Sequence, residues 1–92
     1  MIVRISGEGQ YDLADGDAER LNELEKAVIA AVEAGDESAY RSSFSALLDH
    51  VRAGGRELGE DELEGSDVIL PPPDTSLQEA AGEFTGEGLI PD

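Results

Sequence analysis

Several residue types are missing or scarce in this chain of 92 residues, and each absence narrows what the protein can be. It has no cysteine, which excludes disulfides, thiolate metal sites and cysteine nucleophiles. It has no tryptophan, two tyrosines and two phenylalanines, so its core must come mainly from aliphatic side chains. A chain this short buries only about 60% of its unfolded surface. We predict a single domain, residues 1–92, whose thin core would be stabilised by association with a partner.

Long apolar stretches are also missing. The longest, residues 27–32, falls far short of the roughly 20 residues that a membrane span needs. The first residues, MIVRIS, lack the apolar segment of a signal peptide. We therefore expect a soluble, cytoplasmic protein with no direct membrane insertion.

Positive charge is scarce, with 6 basic against 22 acidic residues and a net charge of -16. Residues 57–92 contain no lysine or arginine at all. Because such a surface repels phosphates and anionic lipid headgroups, we expect no nucleic-acid binding. A basic protein partner fits the charge, but the same acidity also arises as adaptation to a salt-rich cytoplasm, and both explanations remain open.

Residues 17–53 carry two helical apolar patterns that meet at a single break, Gly35-Asp36. Asp17 is placed to cap the first helix through its carboxylate, and Asp36 to cap the second. Gly35 suits the left-handed position that ends a helix. So short a connection predicts an antiparallel helical hairpin. The residues expected to face the core are Leu21, Leu24, Val28, Ala31 and Val32 in the first helix and Tyr40, Phe44, Leu47, Leu48 and Val51 in the second.

Shorter patterns flank this hairpin. Residues 2–6 and 10–14, separated by Gly7-Glu8-Gly9, predict two antiparallel strands that direct Val3, Ile5, Tyr11 and Leu13 to the core. Residues 68–70 can add a third, edge strand, since three prolines end it. Two overlapping capping boxes, Thr75 with Gln78 and Ser76 with Glu79, predict a short C-terminal helix over 76–84. Residues 89–91 are apolar enough that we expect them to fold back on the core.

The predicted fold class is therefore α+β: an antiparallel helical hairpin packed with a small N-terminal β-hairpin, an optional third edge strand and a short C-terminal helix. The helical hairpin is expected to be the scaffold, because its apolar stripes are needed to form the core.

Candidate chemistry is sparse. His50 is the only histidine, and we interpret it as a partly exposed helical residue near a favourable helix C-terminus. Glu60, Asp61, Glu62 and Glu64 offer oxygen ligands for calcium or magnesium, but their spacing does not match an EF-hand loop. We predict no catalytic, cofactor-binding or metal site, and hence no enzyme.

Three stretches carry a family pattern: the opening MIVRISGEGQYDL, the helical AVEAGDESAYRSSFSALLDHVR, and the closing SDVILPPPDTSLQEAAGEFTGEGLIPD. Together they resemble the PspA-associated (PspAA) family of bacteria and archaea over the whole chain. The resemblance implies a small non-enzymatic companion of phage-shock-protein-A systems. These systems answer envelope stress by assembling helical protein on the inner face of the membrane. The family supplies no catalytic residues to carry over.

Charge and resemblance together predict an adaptor or regulator in a stress response that binds a PspA-like helical protein. The candidate partner-binding residues are Glu19 and Glu23, on the solvated face of the first helix, and the acidic residues Glu60, Asp61, Glu62 and Glu64. Two alternatives remain: a regulator that binds a divalent metal through the acidic loop, and a self-associating structural domain that forms a homodimer.

Overall fold

Two long antiparallel helices form the largest feature of the computed structural model, which describes residues 1–59 and 65–84. Helix α1 spans Ala18–Ala34 and α2 spans Glu37–Gly54. Between them Gly35 has φ 67° and donates its N–H to Val32 O, while Asp36 N–H donates to Ala31 O. This pair of bonds is a Schellman motif, and the left-handed glycine makes it possible without strain. The predicted break is confirmed.

The start of α2 also follows the prediction, whereas the start of α1 does not. The Asp36 carboxylate accepts the backbone N–H of Ala39 at 3.1 Å. Asp17 was predicted to cap α1 in the same way, but its side chain makes no capping hydrogen bond. Asp17 instead ends a 3-10 turn, Asp15–Asp17, and has helical dihedrals, φ -84° and ψ -9°. The chain is thus already helical before α1 begins. Asp17 lacks the extended backbone that side-chain capping requires.

A mixed sheet of four strands lies beside the helices. Its strands are β1 (Ile2–Ile5), β2 (Gly9–Asp12), β3 (Arg56–Glu57) and β4 (Val68–Leu70), in the order β3-β2-β1-β4. β1 and β2 pair antiparallel, β2 and β3 pair antiparallel, and β4 pairs parallel to β1. The predicted β-hairpin, β1 with β2, and the predicted edge strand, β4, are both confirmed. The chain after α2 adds the two-residue strand β3.

The β1–β2 turn is shifted by one residue from its predicted position. Ile5 pairs with Gly9, so the three connecting residues are 6–8, and Gly7 takes the left-handed conformation at φ 79°. Glu8 N–H donates to Ile5 O and closes the turn. Glu8 therefore projects from the tip of the hairpin.

Helix α3 spans Leu77–Glu83 and begins at a capping box. Ser76 Oγ accepts the N–H of Glu79, and a Glu79 carboxylate oxygen accepts the N–H of Ser76. The second predicted capping box, Thr75 with Gln78, does not form. The hydroxyl and the N–H of Thr75 both donate to the preceding Pro72 O instead. Tyr40 on α2 donates its hydroxyl to Thr75 O at 2.7 Å and ties this region to the helical hairpin.

One core joins the inner faces of all these elements. Phe44 stacks on Tyr40, with ring centroids 5.5 Å apart, and meets Phe84 edge-on at 5.9 Å. The stripe predicted for α1 is only partly right, since Leu24 and Val32 are half-buried while Glu25 is 3% exposed. The buried apolar residues are Val3, Ile5, Tyr11, Leu13, Leu21, Val28, Ala31, Tyr40, Phe44, Leu47, Leu48, Val51, Val68, Leu70, Ala80 and Phe84.

Candidate partner-binding surface

The outer face of α1 carries the first predicted pair of partner-binding residues. Glu19 and Glu23 are four positions apart, so they lie on the same side of the helix, and both are exposed. Lys26, Ala30 and Glu33 are also exposed along this helix. A helix face of this length presents side chains to a partner without disturbing the core, which lies on the opposite side.

Glu23 is partly neutralised. Arg20 Nη1 donates to Glu23 Oε2 at 3.1 Å, and the two side chains are 61% and 57% exposed. An ion pair this open to water contributes about 0 to 1 kcal/mol and is easily exchanged for another partner. Glu19 therefore carries the less compensated charge of the pair.

A second acidic group adjoins the beginning of α1, and the sequence analysis missed it. The terminal ammonium of Met1 donates to Leu13 O at 2.8 Å and lies 3.7 Å from Asp12 Oδ1 and 3.5 Å from Asp15 Oδ1. Two carboxylates thus share one cation, and the Asp15 side chain is fully exposed. The β1–β2 register places Met1 beside Leu13 and thereby brings the ammonium close to the Asp12 and Asp15 carboxylates. The sequence alone does not show this proximity.

The other predicted site residues, Glu60, Asp61, Glu62 and Glu64, lie outside the described residues. Their neighbours Leu58 and Gly59 line a concavity of about 430 Å³ on the sheet, together with Arg4, Glu8 and Gln10. Within residues 1–59 and 65–84, no three histidine, cysteine, aspartate or glutamate side chains are grouped to hold a metal ion.

A bidentate ion pair joins the β-hairpin to α2. Arg52 binds Glu8 through two parallel hydrogen bonds, Nη2 to Oε1 at 2.6 Å and Nε to Oε2 at 2.8 Å. Arg52 also donates to Asp49, and the Tyr11 hydroxyl donates to Glu8 Oε2 at 2.8 Å. Together these residues make a clamp between the tip of the hairpin and the last turns of α2.

The clamp changes the acidity of its members. The hydrogen bonds from Arg52 and then from Tyr11 lower the pKa of Glu8 from its ordinary 4.5 to about 2. Burial, followed by the hydrogen bond to the Glu8 carboxylate, raises the pKa of Tyr11 from 10.0 to about 12. The hydrogen bonds of the clamp and the burial of Tyr11 therefore account for both shifts.

His50 is half-buried near the end of α2, in agreement with its predicted place on the helix. Its Nε2 is buried and has no hydrogen-bond partner within the described part of the chain. The ring lies against the turn at Gly54, where a Cβ would stand 4.0 Å from His50 Cε1. Ser43, one of the nearby serines, donates its hydroxyl to Tyr40 O in the helix backbone.

Two further grooves lie along the edges of the core. One, of about 180 Å³, runs between α2 and the proline segment and is lined by Tyr40, Phe44, Leu48 and Pro73, with Arg41 and Arg52 at its rim. Both arginines are engaged, Arg41 with Glu37 at 3.7 Å and Arg52 in the clamp. The other groove, of similar volume, lies between β4 and α3.

Comparison with known proteins identifies the family. No described helix is long and apolar enough to cross a membrane. No curated protein and no protein of solved structure matches the chain. The family model described as PspA-Associated protein matches residues 1–92, which is the full length of the sequence. The chain therefore belongs to the PspA-associated protein family.

Proposed function

We propose that this protein is a non-enzymatic adaptor or regulator of a PspA-type envelope stress response and acts by binding a PspA-like helical protein. The observation that carries the proposal is the match of the PspA-associated family over residues 1–92. The description of that family names an association, not a reaction. An adaptor uses a surface instead of a reactive centre, and the fold offers such a surface on α1.

The outer face of α1 is the surface that meets the partner. Glu19 and Glu23 are exposed there, and the Arg20–Glu23 pair is weak enough to open when a basic side chain of the partner arrives. The net charge of -16 steers a basic surface toward this face and raises the association rate. Apolar and hydrogen-bonding contacts then supply most of the affinity. Glu60, Asp61, Glu62 and Glu64 extend the same acidic character in the proposal.

The perturbed groups of the described fold support a structural role over a catalytic one. The pKa shifts of Glu8 and Arg52 come first from the hydrogen bonds between these two side chains, and that of Tyr11 comes from burial and then from its hydrogen bond to Glu8. Catalytic acids and bases are usually tuned toward neutral pH, whereas here the pKa values of Glu8 and Tyr11 move away from it. In the proposal, the protein is cytoplasmic and reaches the inner membrane only through its partner.

Charge reversal on α1 tests the proposal. The double variant Glu19→Lys/Glu23→Lys should bind a PspA-like protein of the same organism about tenfold more weakly than the wild type, because two attractive contacts become repulsive. Binding is measured by titration calorimetry at moderate salt. The thermal unfolding midpoint should change little, since both residues are exposed.

A matched control separates a local contact from general acidity. Asp74 is exposed in the turn before α3 and lies on a different element. Asp74→Lys changes the total charge by the same amount as Glu19→Lys, yet it should leave affinity within about twofold of the wild type. Equal losses of affinity for Glu19→Lys and Asp74→Lys would contradict the assignment of the partner-binding surface to α1. Absence of any complex with the wild-type chain would refute the adaptor function itself.

A further inference from the structure

The groove between the end of β4 and α3 combines an apolar wall from β4 and the prolines with an acidic wall from α3. It encloses about 180 Å³, and Ile69 and Pro72 are the exposed apolar residues of its lining. The lining residues are Ser6, Ile69, Leu70, Pro71, Pro72, Thr75, Glu79 and Glu83. We call it the β4–α3 groove. It lies on elements that the proposed α1 surface does not include, so its role is a separate question.

Ile69 is the apolar feature that most needs an explanation. It is 57% exposed, while its neighbours Val68 and Leu70 are 2% and 0% exposed, because successive residues of a strand point to opposite faces. No other large apolar side chain in the described residues is as open to water. An exposed isoleucine beside prolines in a concave surface is typical of a contact site, although a lone exposed apolar residue would not be.

The opposite wall carries charge of one sign. Glu79 and Glu83 are four residues apart on α3, so their carboxylates face the same direction and repel each other. One oxygen of Glu79 accepts the N–H of Ser76, which leaves further lone pairs of that carboxylate for a second donor. No lysine or arginine lines the groove, and none occurs anywhere in residues 57–92. A bound cation would relieve the repulsion.

We infer that the β4–α3 groove binds one lysine or arginine side chain presented by a protein partner. The aliphatic stem of the side chain lies along the exposed residues Ile69 and Pro72, and its charged head lies between Glu79 and Glu83. Long basic side chains combine an apolar stem with a cationic tip, which matches the two walls. The small volume suits one such side chain better than a whole helix.

Two other occupants fit the groove less well. The chain's own residues 85–92 contain Glu87 and Asp92 but no basic residue, so they would add negative charge beside Glu79 and Glu83. A second copy of the chain carries the same net charge of -16 and would be repelled as a whole. Charge complementarity thus favours a basic partner over both.

A peptide titration tests this inference without the PspA-like partner, so its failure is distinct from failure of the proposed function. The probe is a short fluorescent peptide in which lysine alternates with leucine, and its binding to the full chain is followed by fluorescence anisotropy. The same peptide with glutamine in place of lysine is the control ligand. We expect binding of the lysine peptide and at least a tenfold loss with the glutamine peptide.

Three variants locate the site. Glu79→Gln/Glu83→Gln removes both charges, and glutamine at position 79 retains the capping bond to Ser76. This double variant and, separately, Ile69→Ser should each weaken binding about tenfold. The matched control Glu33→Gln/Glu37→Gln removes two charges elsewhere and should change affinity by about twofold or less. Circular dichroism confirms that each variant is folded.

Several outcomes would overturn the inference. No binding of the lysine peptide, or equal losses for the groove and control variants, would mean that the groove is not a specific site. A dimer in sedimentation that Ile69→Ser dissociates would assign the groove to a second copy. Destabilisation by Ile69→Ser together with absence of peptide binding would assign it to the chain's own C-terminal residues.

Discussion

Glu8 shows how one side chain at the tip of a turn can hold two distant elements together. It accepts two hydrogen bonds from Arg52, 44 residues away, and one from Tyr11 in the neighbouring strand. The sequence identified residues 7–9 only as a turn. Pairing rules for helices relate residues three or four apart, so they apply to Glu37 with Arg41 but not to Glu8 with Arg52.

The clamp predicts a stability difference that depends on pH. Glu8→Gln should lower the free energy of unfolding at neutral pH by about 1 kcal/mol, a value limited by the exposure of both side chains to water. Because the folded-state pKa of Glu8 is lowered, the unfolded chain binds the proton first as pH falls. The stabilisation is therefore complete above pH 4.5 and is lost as pH falls to about 2.

Urea unfolding of the wild type and of Glu8→Gln at a series of pH values measures this effect. The difference between the two proteins should shrink across the interval from pH 4.5 to about 2. Glu37→Gln is the control, since its pair with Arg41 is an open i,i+4 contact and should be worth only about 0.3 to 0.5 kcal/mol. A difference for Glu8→Gln that stays constant with pH would show that the carboxylate charge does not stabilise the fold.

At the scale of elements, the end of α2 is fitted closely to the sheet. Helix α2 ends at Gly54, and Gly55 follows with an extended backbone. Position 55 requires a glycine, because a Cβ there would lie 2.9 Å from Tyr11 Cβ and 2.9 Å from Val51 O. The strand therefore approaches the helix end so closely that no side chain fits between them.

Two glycine substitutions test this close approach. Gly55→Ala should reduce the free energy of unfolding by about 1 to 3 kcal/mol, because Tyr11 or the backbone of Val51 must shift. Gly82→Ala is the matched control: it lies within α3, and no atom stands within 4 Å of its added Cβ. Alanine there should stabilise the protein by about 0.5 to 1 kcal/mol. Chemical denaturation measures both, and a neutral Gly55→Ala would contradict the observed packing.

For the whole molecule, the excess of acidic residues opposes folding. The described fold contains a few ion pairs, most of them exposed, whereas 22 acidic residues face 6 basic ones along the chain. Repulsion among the carboxylates should therefore outweigh the attraction in these pairs. Complex formation with a basic partner would relieve the same repulsion, which links stability to the proposed function.

Salt dependence tests the balance of these terms. Added sodium chloride should raise the free energy of unfolding by about 1 kcal/mol through screening of the repulsion, while it weakens binding of a basic partner. Calcium chloride at the same ionic strength is the control. A saturable increase in the free energy of unfolding at low calcium concentration would instead favour the metal-binding alternative. Destabilisation by sodium chloride would mean that the ion pairs dominate.

Periodic patterns and local chemistry in the sequence determined the α+β class, the helical hairpin, its break at Gly35 and the Ser76–Glu79 box, because each depends on residues close along the chain. Only the tertiary structure decided the parallel pairing of β4 with β1, the burial of Glu25, the 3-10 entry that leaves Asp17 without a cap, and the Glu8–Arg52 clamp. Only the tertiary structure shows the β4–α3 groove as well, since packing brings Ile69, Glu79 and Glu83 to one groove. These features join residues far apart in the chain, and local patterns carry no information about such contacts.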